Sequence, residues 1–432
     1  VRFLGLRGDW VGSRQLAEDA LTHWGGAGCS DDDVIMLMLR FNLANAQRAL
    51  ADYDAARTAD EDVQERLARL LGKGHPYTLI ACRSLGADLR ALGRYGEAER
   101  LDRQTVQGFA TTFGTEHPQT LGAEHNHAVS LRLVGDFRNA ADLDQRIYQT
   151  RLDRFGERDA STLFSASHYG RDLRDIGDLR GSAEVLGRTL NLQRQAIGVD
   201  HPQTLRTAQN LTSTLRQLGR LTEAHDLIED TLSRYQRRHG SRHPETLSCE
   251  MTLATVHSAS GDDAAALRIT HALLPRHREA LGEHHVFTLA CAHNLAVFLR
   301  RTGDHGGAQA IAVDVHNRLV ADLGENHPYV IAAALNLTND AFALDGAQVA
   351  LTMDEAVYPK FVELLGTDHP DTLVAAVNLS VSRREAGESD AAQHLLDRAI
   401  TGLIDVLGEQ GPGVLQARNG ERFNVHIEPP PL

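Results

Sequence analysis

Lysine is nearly missing from this chain: Lys73 and Lys360 stand against 42 arginines among 432 residues. With its abundant Ala, Gly, Asp and Arg, the composition points to a GC-rich genome, and a high-GC bacterium is the expected source. Cysteine is scarce too. Cys29, Cys82, Cys249 and Cys291 include no C-x-x-C pair and are too few and scattered for a disulfide framework in a chain of this size. No apolar run approaches the roughly 18 residues of a membrane span, and no secretory signal opens the sequence, so a reduced cytoplasm is expected. Positive charge is in deficit. The formal net charge of −14 argues against non-specific binding of nucleic acid or an anionic membrane, because both need clustered cations. The chain begins at Val1 rather than methionine, in a helix-rich stretch, and is expected to be part of a longer protein.

What the chain has in excess is a spacing. His-Pro, or a relic of it, returns every 42 residues, at His75, His117, Asp159, His201, His243, His285, His327, His369 and Gly411. The fuller unit G-x-x-H-P-x-T-L is complete at 72–79, 114–121, 198–205, 240–247 and 366–373. A fixed period of this size marks a solenoid built from one supersecondary unit.

The stretch from His201 to Gly240 shows the physics of the unit. Pro202 suits a first helical position, and Leu205, Ala208, Leu211, Thr212 and Leu215 recur at spacings of three and four. Gly219 stops that helix, and Leu221, Ala224, Leu227, Ile228, Thr231 and Leu232 mark a second helix that ends at Gly240. Small residues recur where the two helices must cross, at the positions of Ala224 and Thr212. The expected fold is all-α, a right-handed α-solenoid. Its expected divisions are a partial repeat and loop over 1–33, nine helix pairs over 34–408 forming one solenoid, and a C-terminal cap or Pro-rich tail over 409–432. The copy at Asp159 lacks His-Pro, and the copy starting near 328 replaces its turn glycine with Asp345-Gly346 and carries Pro359 late in its second helix.

These features resemble the tetratricopeptide repeat, lengthened to 42 residues. Asn210 to Gly219, then Glu223-Ala224 and Gly240 to Pro244, are similar to the kinesin light chain subtype. The ending from Arg422 to Leu432, the phrase from Leu131 to Phe137 and the opening Arg7 to Trp10 resemble actinobacterial tetratricopeptide repeat proteins of the FxSxx-COOH system. Those are encoded beside a radical SAM peptide-modifying enzyme and a short precursor peptide. Members often carry an NTPase-like N-terminal region. No G-x-x-x-x-G-K-[ST] loop occurs in this chain.

The histidines of the His-Pro row are read as turn punctuation. Each belongs to a different unit, roughly 10 Å from the next, whereas a metal needs ligands within about 2.2 Å of one ion. Denser groups, His125 with His127, His271 with His277 and His284 with His285, have no acid or cysteine in metal-site spacing. Neither H-E-x-x-H nor G-x-S-x-G occurs, so no catalytic residue, metal or cofactor is assigned and the chain is not expected to be an enzyme.

Two polar rows on the first helices are the better candidates. Asparagine recurs at Asn42, Asn126, Asn210, Asn294, Asn336 and Asn378, and arginine at Arg48, Arg90, Arg132, Arg174, Arg216, Arg300 and Arg384. The resemblance implies that the first helices line a groove, where the amide of an asparagine offers both donor and acceptor to a peptide backbone. The groove residues expected from it are Asn126, Asn210, Asn294, Asn336 and Asn378 with Arg132, Arg174, Arg216 and Arg300. The arginines would take an acidic group or a free C-terminal carboxylate, or else serve the helix dipole and neighbouring acids. The expected function is a protein- or peptide-binding scaffold, within a peptide-modification system if the narrower resemblance holds. The alternative is the sensor arm of a nucleotide-dependent switch whose NTPase lies upstream.

Overall fold

The computed structural model describes residues 1, 3, 4 and 9–428. Arg7 and Gly8 of the opening motif and residues 429–432 of the Pro-rich ending lie outside the described residues. Among the described residues the fold is all-helical, an α-solenoid of twenty helices with no strand.

Helix α1 (Trp10–Gly26) precedes nine antiparallel pairs, repeats 1 to 9. The pairs are α2 (Val34–Ala49) and α3 (Tyr53–Leu71), α4 (Pro76–Ala91) and α5 (Tyr95–Phe113), α6 (Pro118–Leu133) and α7 (Phe137–Phe155). Next come α8 (Ala160–Asp175) and α9 (Leu179–Ala196), α10 (Pro202–Gln217) and α11 (Leu221–His239), α12 (Pro244–Ala259) and α13 (Asp263–Leu281). The last are α14 (Val286–Arg301) and α15 (His305–Leu323), α16 (Pro328–Leu344) and α17 (Ala347–Leu365), α18 (Pro370–Glu385) and α19 (Ser389–Leu407), followed by α20 (Pro412–Arg418). The chain divides into two compact units, 1–154 and 155–432.

The recurring motif is a helix-to-helix joint. The leading glycine takes a left-handed φ, +93° at Gly72 and +80° at Gly240, and ends the preceding helix. Histidine is the N-cap of the next helix: Nδ1 of His201 accepts the Gln203 N–H at 3.2 Å, and the His75, His117, His243, His285, His327 and His369 rings do the same two residues on. Proline then fills the first helical position in these joints except after His285, where Val286 stands, and the N–H it lacks would have had no partner. Threonine closes the joint, as the Thr204 hydroxyl donates to the Gly198 carbonyl at 2.8 Å. Asp159 replaces histidine without loss, its carboxylate accepting the Ser161 N–H at 2.9 Å.

Within each pair the small residues sit at the crossing. Ala56, Ala98 and Ala140 in the first unit, and Ala224, Ala266, Ala308 and Ala350 in the second, have no exposed surface. Gly170 shows why size matters there, since a Cβ would come within 2.8 Å of the Leu186 side chain. Cys249 and Cys291 are fully buried, and burial pushes the Cys291 thiol up to about 12. In repeat 8 the first helix runs on to Leu344, and the turn glycine moves to Gly346 at φ +93°. Pro359 lies inside α17 without ending it.

In the second unit, repeats far apart in sequence touch. His369 Nε2 donates to the Asp175 carbonyl at 3.2 Å, and a Cβ on Gly219 would stand 2.5 Å from Pro412 Cδ. The turns of repeats 4 and 5 thus meet the starts of α18 and α20.

Candidate peptide groove and the docked C-terminal segment

After α20 the chain leaves the helical pattern, and residues 422–428 lie along the first helices of repeats 5 to 9, with 423–427 gripped by those of repeats 7 to 9. The asparagine row holds them. Asn378 Oδ1 accepts the Phe423 N–H at 2.7 Å while its Nδ2 donates to the Phe423 carbonyl at 3.0 Å. Asn336 does the same to Val425, at 3.0 and 2.7 Å, and Asn294 to Ile427, at 3.0 and 2.9 Å. One repeat therefore reads two residues. Extended chain turns alternate residues to the same side, which lets a row with one asparagine per repeat bind every second residue. The segment runs opposite to the order of the repeats.

Further bonds reinforce the grip and reach one residue between. Asn339 Nδ2 donates to the Phe423 carbonyl at 2.6 Å, and His293 Nε2 donates to that of Val425 at 2.9 Å. Arg300 Nη1 donates to the Asn424 side chain at 2.7 Å. Phe423 packs among Leu373, Val377, Val414 and Ala417, and Val425 against Ile331 and Leu335. Ile427 keeps only 2% of its surface exposed. Apolar burial on this scale contributes about 1.5–3 kcal/mol for each large side chain.

The two ends of the segment are charged, and each meets its opposite. Arg422 enters a socket in which Nη1 and Nη2 donate to Asp354 at 2.8 and 3.0 Å, Nε donates to Asn339 at 2.7 Å, and the guanidinium lies 5.0 Å from the centre of the Phe342 ring. At the other end, Glu428 accepts from Thr255 at 2.7 Å and pairs with Arg216 at 3.3 Å. Burial pulls the Glu428 carboxyl upward, but Arg216 and Arg174, with hydrogen bonds from Thr255 and Ser213, outweigh it and hold the group down at about 2. Burial and Arg216 push His426, beside the Phe298 ring, down to about 3, so it sits there neutral.

Of the nine residues expected to line a groove, Asn294, Asn336, Asn378, Arg216 and Arg300 touch the segment. Asn210 is buried, and its carbonyl accepts from Arg174 at 3.3 Å. Arg174 also pairs with Asp175 and acts on Glu428 through its field. Arg132, 2% exposed, is bound to Asp144 at 3.0 Å, and Asn126 is half-buried. Much of the arginine row is thus tied to acids of the repeats themselves: Arg300 makes bonds of 2.6 Å to both oxygens of Asp340 in the next repeat. The expectation that His125 has no partnering acid fails. Asp144 reaches it at 3.1 Å from the facing helix, a juxtaposition that spacing within one helix does not reveal.

Asp354, Asn339, His293 and Thr255, with Thr338 and Ser382, whose hydroxyls accept from Arg422, were missed by sequence reasoning. The 42-residue ruler held the signal for the first. Asp354 stands in register with Asp60, Asp102 and Asp144, which face the row arginines Arg48, Arg90 and Arg132. In repeat 8 the arginine position holds Phe342, so its aspartate has no row arginine of its own.

Helix pairs closed at a glycine joint, with small residues at each crossing, define an α-solenoid of helix-turn-helix repeats. The chain belongs to the tetratricopeptide repeat family: one model of that description matches residues 33–111, 83–153, 159–237 and 213–270, and a second matches 288–329. No curated protein matches the sequence. Among solved structures, the chain is similar to a putative kinesin light chain with nearly identical TPR-like repeats from Podosopora anserina, at 24% identity over 48% of this chain and 97% of that one, with a TM-score of 0.37. BtubC (BKLC) from P. vanneervenii is 19% identical over 58% of this chain and 95% of that one, with a TM-score of 0.39. A Rap protein complexed with competence and sporulation factor shares the fold over 87% of this chain and 99% of that one, at 8% identity and a TM-score of 0.62. No helix among the described residues is long and apolar enough to cross a membrane.

Proposed function

We propose that the chain is a binding scaffold that holds an extended segment of a peptide or partner protein on the first helices of its second unit. The observation that carries this reading is the two-pronged grip of Asn294, Asn336 and Asn378 on alternate residues of an extended chain. Backbone pairing of this kind is indifferent to side chains and so supplies affinity, while the pockets between supply selectivity. The test is selection of a displayed random-peptide library on the chain carrying Arg422→Glu, whose own terminal segment no longer fits the Asp354 socket, and on the same chain carrying Asn336→Ala as well. A shared motif enriched on the first and lost on the second is expected; no enrichment on either sinks the proposal.

The narrower reading places the scaffold in a ribosomal peptide maturation system, with the short precursor peptide as ligand. The similarity of residues 422–432 to the ending of the FxSxx-COOH system proteins supports it, as does the pairing of Arg216 with an acidic group. Isothermal titration with a peptide ending in Phe-x-Ser-x-x, as free carboxylate and as amide, tests it. Tighter binding of the free acid is expected, and equal affinities remove the carboxylate from the recognition.

A further inference from the structure

The missing arginine of repeat 8 says what kind of segment the groove accepts. In repeat 2, Arg90 sits on Asp102, and the Ser130 hydroxyl donates to the same carboxylate at 2.7 Å. In repeat 8, Ser382 donates to Asp354 at the same 2.7 Å, Phe342 occupies the arginine position, and the guanidinium that completes the cluster is that of Arg422, from the terminal segment. The Asp354 side chain is 1% exposed. A buried carboxylate without its cation is strongly disfavoured, so this position selects arginine from whatever lies in the groove. Three backbone grips further on, Thr255 and Arg216 select an acid. Between them the pockets take apolar residues at alternate positions, Phe423, Val425 and Ile427.

The chain's own segment fits this mould imperfectly. His426 Nε2 and Arg216 Nε are both buried without a hydrogen-bond partner. An unsatisfied buried polar atom weakens binding by roughly tenfold or more. Further along the asparagine row stand Thr252 and Asn210, and the chain after Glu428 reads Pro-Pro-Pro, which has no N–H to offer an amide.

We propose that repeats 5 to 9 read segments of the pattern Arg-apolar-x-apolar-x-apolar-acid, and that residues 422–428 are a built-in occupant which a partner protein's segment of that pattern displaces. The inference rests on the scaffold reading above and adds to it the ligand's chemistry and the self-occupied state.

The probe is a labelled peptide of residues 422–432 carrying His426→Leu, titrated by fluorescence anisotropy into the full chain and into its Arg422→Glu variant. The variant is expected to bind at least tenfold more tightly, because its own segment no longer fits the Asp354 socket. In the unmodified chain, hydrogen exchange is expected to be slow at the amides of Phe423, Val425 and Ile427 and to accelerate when the peptide is in excess. Equal affinity for the two proteins overturns the self-occupied state and leaves the scaffold reading intact. Amides that stay protected in excess peptide make the segment a permanent part of the fold and overturn displacement. Binding to neither protein, with unprotected amides, overturns the scaffold reading as well. Should Arg422→Glu fail to fold, the exchange experiment on the unmodified chain decides alone.

Discussion

Arg422 and Asp354 form a two-pronged ion pair, 2.8 and 3.0 Å, between the terminal segment and the second helix of repeat 8. Both side chains are buried, so removing the arginine leaves an uncompensated carboxylate, at a cost of about 3–5 kcal/mol. Arg422→Ala is therefore expected to lower the melting temperature of the second unit. Phe342→Arg in the same background should recover part of the loss, because it restores the row arginine that Arg48, Arg90 and Arg132 supply in other repeats. Thermal melts of the wild type, the single variant and the pair check this; a double variant no more stable than Arg422→Ala would mean that the row geometry is not preserved in repeat 8.

Asn336→Ala removes both bonds to Val425 at once, including the 2.7 Å donation to its carbonyl. The expected loss is about 1–3 kcal/mol of docking free energy. Amide exchange at Val425 should rise by tenfold or more, with a smaller rise at Phe423, which keeps Asn378 and Asn339. Equal acceleration at all three gripped residues would show that the segment releases as one piece, not residue by residue.

Acid should loosen the segment. His426 is held down at about 3, chiefly by burial and Arg216, and His293 at about 4, chiefly by burial, whereas a released imidazole titrates near 6.5. The docked state favours the neutral rings, so its advantage is whole above pH 6.5 and shrinks as pH falls from there toward 4 and then 3. Glu428, held at about 2 against an ordinary 4.5, adds a second loss only below pH 4.5. Hydrogen exchange at Ile427, corrected for the intrinsic pH dependence, should show protection falling from pH 6.5 downward; constant protection to pH 4.5 would refute the histidine contribution.

The fold was legible because a 42-residue period copies one local rule, His-Pro for a start and glycine for a stop, whose bonds are made within a few residues. The asparagine row was legible for the same reason, since a ruler laid on the sequence finds every equivalent position. What fills the row was not. The contact from Asn294 to Ile427 spans 133 residues, and no periodic signal links them. The arginine row was legible as a row, but the division of its members between ligand and structure was not, because charge along a helix says nothing of the acid that the next repeat supplies, as Asp340 does for Arg300. Phe342 shows the finer lesson: the informative position was the one that breaks the repeat beside an aspartate that keeps it, Asp354, and it is informative only once the rest of the cluster is known.

One substitution in the chain already tests the cap at the head of each first helix. Asp159 holds the place of histidine and accepts from the Ser161 N–H at 2.9 Å, against 3.2 Å from Gln203 N–H to His201. Either side chain satisfies an amide that the helix cannot. His201→Asp is accordingly expected to be neutral or slightly stabilising, since Arg206 and Arg238 act on that position, while His201→Ala should cost about 1 kcal/mol. The two should also differ with pH. Burial first, then Arg238 and Arg206, depress the His201 ring, and its Nδ1 accepts only when unprotonated, so the wild-type cap is intact above pH 6.5 and weakens as pH falls. An aspartate cap keeps its charge down to about pH 4. Chemical denaturation of the three proteins at pH 7.5 and 5 checks this, and a wild type that loses no stability relative to His201→Asp on acidification would show that the ring caps the helix through shape and not through its lone pair.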